Sequence, residues 1–165
     1  MPLLTKADAY LIKVDSSRKN YVPSKTPVIP KNPIFAEDVI LHNRFILPKN
    51  EITKNPDFKK VQQNDYIVVF CSSLVPHSPK QIKFIYRVKS KIQNKIILKK
   101  FTKLQRGYSF KHLVALCKEG QLSSNLQKAL TEEEHKITQI QYSDVELLVN
   151  FDPIVRTYHS SSWKT

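Results

Sequence analysis

Short apolar runs alternate with helix-spaced apolar residues along this chain, which predicts interleaved strands and helices. The strongest strand signal is Tyr66-Ile-Val-Val-Phe70, which follows the turn residues Asn64-Asp65. Runs rich in β-branched and aromatic residues predict four more strands, over residues 9–14, 82–90, 96–101 and 136–142. Apolar positions at helical spacing predict helices within residues 32–41, 110–119, 124–130 and 143–148.

Capping residues mark the ends of two of these helices. Ser109 is a typical N-cap for a helix that begins at Phe110, and Gly120 lies just past the end of that helix. The pattern Ser143-Asp-Val-Glu146 is typical of a capping box and predicts where the last helix begins. Strands and short helices in this order indicate the α+β class.

The length and the prolines of the chain indicate one domain. With 165 residues, 41% of them hydrophobic, the chain can bury one core and has little room for a second. Four prolines from residue 15 to residue 33 predict a long loop, because proline neither donates to a sheet nor fits inside a helix. We therefore expect a single domain over residues 1–157, followed by a flexible tail or the start of a linker at 158–165.

The charge of the chain points to a polyanionic partner. Lys and Arg number 27 against 14 Asp and Glu, which leaves a net charge of +13. Eleven of these basic residues lie between Lys80 and Lys111, in a segment without Asp or Glu. A basic segment of this kind suits phosphate groups, and the alternative is a surface that only keeps the protein soluble.

Alternation along the first strand of this segment predicts one packed face and one largely basic face. The packed face would hold Ile82, Phe84, Tyr86 and Val88, and the basic face Lys83, Ile85, Arg87 and Lys89. Clustering on one face favours phosphate binding over general solubility.

The residues that most enzymes need do not occur together in this sequence. Gly107 and Gly120 are its only glycines, so neither a P-loop nor a dinucleotide-binding fingerprint can be present. Cys71 and Cys117 lie far apart in apolar segments, and the five histidines lack metal-ligand spacing. We therefore expect a non-enzymatic protein with no catalytic residue, no metal site and no cofactor.

Cysteine usage and hydropathy favour a reduced, cytoplasmic protein. The two cysteines lack the spacing of a disulfide framework. No stretch approaches about 18 consecutive apolar residues, and the N-terminus lacks the apolar core of a signal peptide. We therefore expect no membrane partner.

Three segments, read in order, match a known pattern. They are Tyr10-Leu-Ile-Lys-Val-Asp-Ser16, His42-Asn43-Arg44 and Asn64-Asp-Tyr-Ile-Val-Val-Phe-Cys-Ser-Ser73. With the basic strand and the helices that follow, they resemble the EVE branch of the PUA-like superfamily, which is related to the YTH and ASCH domains. The resemblance covers residues 9–150 and implies a PUA-like α+β fold, a small, partly open β-barrel surrounded by short helices.

The chain departs from the family at two places that concern the binding of a base. Cys71-Ser72-Ser73 stands where relatives end the strand in Tyr-His-Ser. The only tryptophan is Trp163, in the tail, so the tryptophan cage of YTH domains cannot form inside this fold. Stacking on a base would therefore fall to Phe, Tyr or His.

The resemblance implies a pocket for one base at the mouth of the barrel. The base pocket would hold His42, Asn43, Phe45, Ser72, Ser73 and Tyr108. The phosphate backbone would lie on Lys13, Arg44, Lys83, Arg87 and Lys89. For Asn43 the alternative role is a helix C-cap, and for the two serines it is hydrogen bonding to the local backbone.

Members of the EVE branch read modified or special nucleotides. Some are the DNA-reading parts of modification-dependent restriction systems of the McrBC type, fused before a nucleotide-hydrolysing motor. We therefore expect a nucleic-acid-binding recognition module that accepts a flipped, modified base, with DNA favoured over RNA and any motor domain outside this chain. The alternatives are an RNA-binding PUA-like domain and an adaptor whose basic face binds an acidic protein.

Overall fold

Six strands of this chain pair into one mixed sheet. The computed structural model describes residues 3–14, 34–71, 80–132 and 134–151. Within these ranges the strands are β1 (Ala9–Val14), β2 (Arg44–Ile46), β3 (Tyr66–Cys71), β4 (Gln81–Ile92), β5 (Lys95–Ser109) and β6 (Ile137–Ile140). Their order is β2-β5-β4-β3-β1-β6, in which β1 and β3 are parallel and every other pair is antiparallel.

The helices lie close to where the sequence predicts them. They are α1 (Ala36–Ile40), α2 (Phe110–Lys118), α3 (Ser124–Thr131) and α4 (Tyr142–Asn150), with 3₁₀ helices at Lys49–Glu51 and Pro56–Lys60. Ser109 caps α2 as predicted, since its Oγ accepts a hydrogen bond from the His112 N–H at 3.2 Å. Among the described residues, no helix is long and apolar enough to cross a membrane. The predicted loop at 15–33 and the predicted tail at 158–165 lie outside the described residues.

The central strands are buried on both faces. Along β1, Ala9 and Leu11 pack into one hydrophobic cluster, whereas Tyr10 and Ile12 pack into another. We call the first cluster the helical core, because α2, α3 and α4 contribute to it, and the second the α1 core, because α1 contributes to it. Burial on both faces explains why β1 and β3 are apolar at nearly every position.

The two edges of the sheet meet in the α1 core. Phe45 comes from β2 and Ile137 from β6, which are the edge strands on opposite sides. In a flat sheet these strands would lie about 24 Å apart, which is five strand spacings. The sheet must therefore curl around the α1 core, as a partly open barrel requires.

Two polar side chains satisfy the backbone at the β6 edge. The Asn55 Oδ1 accepts hydrogen bonds from the Lys136 N–H at 2.6 Å and the Ile137 N–H at 3.3 Å. The Asp57 Oδ2 accepts a hydrogen bond from the Gln139 N–H at 2.8 Å. These bonds occupy N–H groups that an open edge would offer to another strand.

The β4–β5 hairpin is longer and less regular than the sequence predicts. β5 continues to Ser109 instead of ending near residue 101. The pairing shifts register between Ile82 and Phe84 and at two later points along β4. Because a bulge changes the alternation of side chains, Ile82 packs in the helical core and Phe84 against the α1 core. The predicted packed face is therefore wrong at Ile82, and the predicted basic face is wrong at Ile85, which is buried in the helical core.

A glycine is required where β5 passes closest to the first bulge of β4. Gly107 has a φ of 74°, in the left-handed region. A Cβ at this position would lie only 2.6 Å from the Ile82 carbonyl oxygen. Both the backbone angle and the close approach therefore require a residue that has no side chain.

The last helix begins at a different residue from the predicted one. Gln141, and not Ser143, is the N-cap of α4. The Asp144 carboxylate closes this cap in place of Glu146, since its Oδ2 accepts the Gln141 N–H at 3.0 Å. Asp144 is fully buried, and its Oδ1 also accepts the Ser123 N–H at 2.7 Å. The capping box begins two residues earlier than predicted because the buried Asp144 carboxylate accepts backbone N–H groups at the starts of both α3 and α4.

Removing the hydroxyl group from each of two buried tyrosines should change the free energy of unfolding differently. Among the described residues the Tyr10 hydroxyl has no hydrogen-bond partner, whereas the Tyr108 hydroxyl donates to the Leu148 carbonyl at 3.0 Å. Tyr10→Phe should leave the free energy of unfolding unchanged or raise it by up to about 1 kcal/mol, and Tyr108→Phe should lower it by about 1 kcal/mol. Urea unfolding followed by circular dichroism measures both, and equal losses would show that the Tyr10 hydroxyl is satisfied in solution.

Asn55→Ala should destabilise the fold strongly. The variant leaves two N–H groups of the β6 edge and the Glu51 carbonyl without their side-chain partner, at a cost of about 2–4 kcal/mol in the free energy of unfolding. Asn150→Ala, at the exposed end of α4, is the matched control and should cost less than about 0.5 kcal/mol. Equal midpoints of urea unfolding for the two variants would contradict the role of Asn55.

Candidate nucleic-acid interface

β2 and the tip half of the β4–β5 hairpin carry a basic surface on one side of the sheet. The side chains of paired residues on antiparallel strands point to the same side of the sheet. Arg44 on β2 pairs with Ile97 on β5, and Arg87 on β4 pairs with Lys99 on β5. Residues two apart on one strand also share a side, which adds Lys95 to Ile97 and Lys99. We call this surface the basic face and define it by Arg44, Arg87, Lys95 and Lys99.

The basic face carries an excess of positive charge, although the Asp65 carboxylate lies close enough to Arg87 to interact with it. The segment from Lys80 to Lys111 contains no Asp or Glu. The ion pairs among the described residues include those of Lys54, Lys60, His135 and Lys136, and none of these is a cation of the basic face. The positive potential of the basic face is therefore available to an anionic ligand.

Asn64 holds two cations of the basic face in place. The Arg87 Nε and Nη2 donate to the Asn64 carbonyl at 3.0 Å and 2.8 Å, and the guanidinium lies 4.6 Å from the centre of the Tyr66 ring. The Lys99 Nζ lies 3.2 Å from the Asn64 Oδ1. Such fixed cations lose less conformational entropy when they bind a ligand than freely rotating ones do.

Asn43 connects α1 to the basic face. Its φ is 52°, its N–H donates to the Val39 carbonyl at 3.0 Å, and its carbonyl accepts the Leu98 N–H at 2.8 Å. The C-cap of α1 is Leu41 and not Asn43, and the left-handed backbone of Asn43 leads the chain from the end of α1 into β2. The Asn43 Oδ1 and the Arg44 Nε are both buried, and neither has a hydrogen-bond partner among the described residues. An unused acceptor and an unused donor thus stand on consecutive residues.

The structure does not bring the predicted base-pocket residues together. His42 is exposed next to Asn43, but Phe45 is fully buried in the α1 core. Tyr108 is 1% exposed and lies in the helical core, on the other side of the sheet. Each ring would have to leave its core to stack on a base, so their stacking role stays a prediction. Ser72 and Ser73 lie outside the described residues.

The predicted phosphate-binding residues divide into two groups. Arg44 and Arg87 belong to the basic face, and Lys89 is exposed at the bulge between Val88 and Ser90, near the same end of the hairpin. Lys83 lies at the other end of the hairpin beside Gly107. The Lys13 Nζ donates to the Glu132 carbonyl, away from the hairpin. The structure thus places two of the five, Arg44 and Arg87, on the basic face.

Sequence reasoning missed Lys95 and Lys99. The apolar pattern predicts a strand over residues 96–101 but not its pairing register with the strand that carries Arg87. This register decides which residues of the predicted strand lie on the same side of the sheet as Arg87. Lys99 pairs with Arg87 only because of the bulge at Lys89, which no feature of the sequence marks.

Comparison with known proteins supports the fold. No protein-family model and no curated protein matches this sequence. The chain is similar in structure to human THYN1, solved in complex with DNA containing 5-methylcytosine, with a TM-score of 0.62, 9% identity, and coverage of 88% of this chain and 98% of that one. A further match is the Toxoplasma CPSF4-YTH domain in its apo form, with a TM-score of 0.46, 11% identity, and coverage of 91% and 89%. The likeness to THYN1 confirms the predicted PUA-like α+β fold.

The turn that holds Arg87 should make stability depend on pH. Burial raises the pKa of the Asp65 carboxyl above its ordinary value of 3.8, although its Oδ2 accepts the Gln62 N–H. The folded state then binds this proton more tightly than the unfolded chain does. The free energy of unfolding therefore falls as the pH rises from 3.8 through the folded pKa.

Asp65→Asn keeps an acceptor for the Gln62 N–H and removes this titration. The stability of the variant relative to the unsubstituted protein should therefore increase as the pH rises from about 4 to about 7. Urea midpoints at the two pH values measure the change. Midpoints that move in parallel for both proteins would exclude Asp65 as the cause.

Proposed function

We propose that this chain is a nucleic-acid-binding recognition module that holds phosphates on the basic face and reads one base at Asn43. The observation that carries the proposal is that a buried acceptor and a buried donor without hydrogen-bond partners among the described residues, the Asn43 Oδ1 and the Arg44 Nε, lie on consecutive residues at the start of the basic face. Phosphate contacts supply affinity and position the strand, while contacts to a base edge supply selectivity. The module acts in this proposal as a reader and not as an enzyme.

A base that has an amino group beside a ring nitrogen would match the acceptor on Asn43 and the donor on Arg44 once these buried atoms are exposed to it. The Asn43 Oδ1 can accept a hydrogen bond from the amino group, and the Arg44 Nε can donate one to the ring nitrogen. Cytosine and adenine both present this pair on their Watson–Crick edge. That edge is accessible only when the base has left the duplex, so the proposal includes a flipped base.

The first modified base to test is 5-methylcytosine in DNA. THYN1, which shares the fold, was solved in complex with DNA that contains it. We further propose that DNA is favoured over RNA and that the module is the reader of a modification-dependent restriction system in the cytoplasm. Cleavage and translocation would then belong to a motor domain outside this chain.

Binding of labelled duplex DNA, single-stranded DNA and RNA, each with and without one 5-methylcytosine, tests the reader. We expect methylated DNA to bind at least about tenfold tighter than its unmodified control, which is about 1.4 kcal/mol. Asn43→Gly should remove this preference. Glycine adopts the φ of 52° without strain, so the variant loses the amide and keeps the backbone. A preference that survives in the folded Asn43→Gly variant would place the reading site elsewhere.

The salt dependence of binding tests the basic face. Replacing Lys95 and Lys99 together by Ala should flatten the slope of log K against log salt by about 0.9 for each duplex phosphate that the variant no longer neutralises. Lys118→Ala, on α2, is the control and should leave the slope unchanged. Unchanged slopes for both variants would exclude the basic face as the phosphate site. Weak binding of every nucleic acid would favour the alternative, an adaptor for an acidic protein.

A further inference from the structure

A groove lies on the opposite side of the hairpin from the basic face. It has a volume of about 240 Å³ and is lined by Ile40, Phe84, Ile85, Tyr86, Lys100, Phe101, Thr102 and Lys103. Phe84 and Tyr86 pack with the α1 core, whereas Arg87 of the basic face lies over Tyr66 of the helical core. The groove and the basic face are therefore separate surfaces of one hairpin.

Strand register builds the groove from two aromatic–lysine pairs. Phe84 on β4 pairs with Lys103 on β5, and Tyr86 pairs with Lys100. A register shift between Ile85 and Tyr86 separates the two pairs. Both lysines thus stand beside an aromatic ring on the same side of the sheet.

The lysines of the groove carry positive charge beside an apolar surface. Lys100 and Lys103 are exposed, and neither forms an ion pair with a described carboxylate. The Lys103 Nζ lies 5.7 Å from the centre of the partly buried Phe84 ring. Ile40, at the end of α1, forms the apolar wall. The groove therefore suits a flat apolar ring that carries an anionic group.

We infer that this groove binds one nucleotide, with the base against Phe84 and Ile40 and the phosphate on Lys100 and Lys103. Aromatic rings beside cations are the means by which proteins hold single-stranded nucleic acid without sequence preference. The groove is smaller than the pockets of roughly 300 to 1,000 Å³ that hold drug-sized ligands, so it has room for one base and not two. This site goes beyond the reader at Asn43, because it uses other residues on the other side of the hairpin.

Titration of the protein with deoxycytidine monophosphate, followed by amide chemical shifts, tests the site. Deoxycytidine and inorganic phosphate are the matched probes, since each lacks one half of the ligand. We expect the largest shifts at Ile40, at Phe84 and between Lys100 and Lys103. Each half-ligand should bind at least about tenfold more weakly than the nucleotide. Shifts confined to Arg44, Lys95 and Lys99 would overturn the inference.

Two variants separate the base contact from the phosphate contact. Phe84→Leu keeps an apolar side chain and should weaken the nucleotide and deoxycytidine by about tenfold, with no effect on inorganic phosphate. Lys103→Ala should weaken the nucleotide and inorganic phosphate, with no effect on deoxycytidine. Lys118→Ala is the control and should change none of the three. Equal binding of the nucleotide by all four proteins would overturn the site.

An oligonucleotide of about twelve residues identifies the source of the nucleotide. If the groove takes a nucleotide of the bound strand, Phe84→Leu should weaken the oligonucleotide as well as the mononucleotide. If it takes a free nucleotide, only the mononucleotide should weaken. Variants of Lys95 and Lys99 test phosphate binding at the basic face separately. Nucleotide binding at the groove and phosphate binding at the basic face can therefore each be disproved without the other.

Discussion

Burial of the parallel pair β1 and β3 on both faces is the constraint on which the rest of the structure depends. Their backbone groups are satisfied within the sheet, and their side chains need an apolar cover on each side. Three helices supply that cover on one side. On the other side α1 has only five residues, about 7.5 Å of helix, which is too short to cover the sheet alone. The sheet therefore curls, and β2 and the Pro56–Lys60 helix complete the α1 core.

The position of the basic face follows from the length of the hairpin. β4 and β5 have 12 and 15 residues, whereas β3 beside them has six. The part of the hairpin that extends beyond β3 gains β2 as a neighbour and contributes to the α1 core through Ile96 and Leu98. On the side away from the α1 core it carries the basic face. A sheet surface that no apolar layer covers is stable in water only when it is polar, and here the polar groups are cations.

Asparagine takes the place of glycine at two of the turns that border the basic face. The chain has two glycines, and Asn43 and Asn64 take left-handed backbone angles of 52° and 73°. Asn tolerates this conformation better than most residues with a side chain. Unlike glycine, it also brings an amide. The Asn64 amide oxygen meets Lys99, and the Asn43 amide oxygen has no partner among the described residues. The same residues therefore shape the backbone and furnish the polar groups beside the cations.

Much of the local structure could be predicted from the sequence, because it depends on contacts between residues a few positions apart. The strand at β1, the start of β3 after Asn64-Asp65, and the Ser109 cap of α2 are of this kind. The order of strands and helices was sufficient for the α+β class, and the resemblance to the EVE branch added the partly open barrel. The sequence also located the excess of charge in the hairpin.

The bulges of β4 depend on how β3 and β5 pair with it, and they decided that Ile82 and Phe84 face opposite cores. Tertiary structure alone brought Arg44 to the same side of the sheet as Lys99, buried Phe45 and Tyr108 in separate cores, and formed the groove between Ile40 and the hairpin. The physical reason is that a strand alternates its side chains locally, but a single extra residue, stabilised by distant neighbours, reverses that alternation for everything that follows.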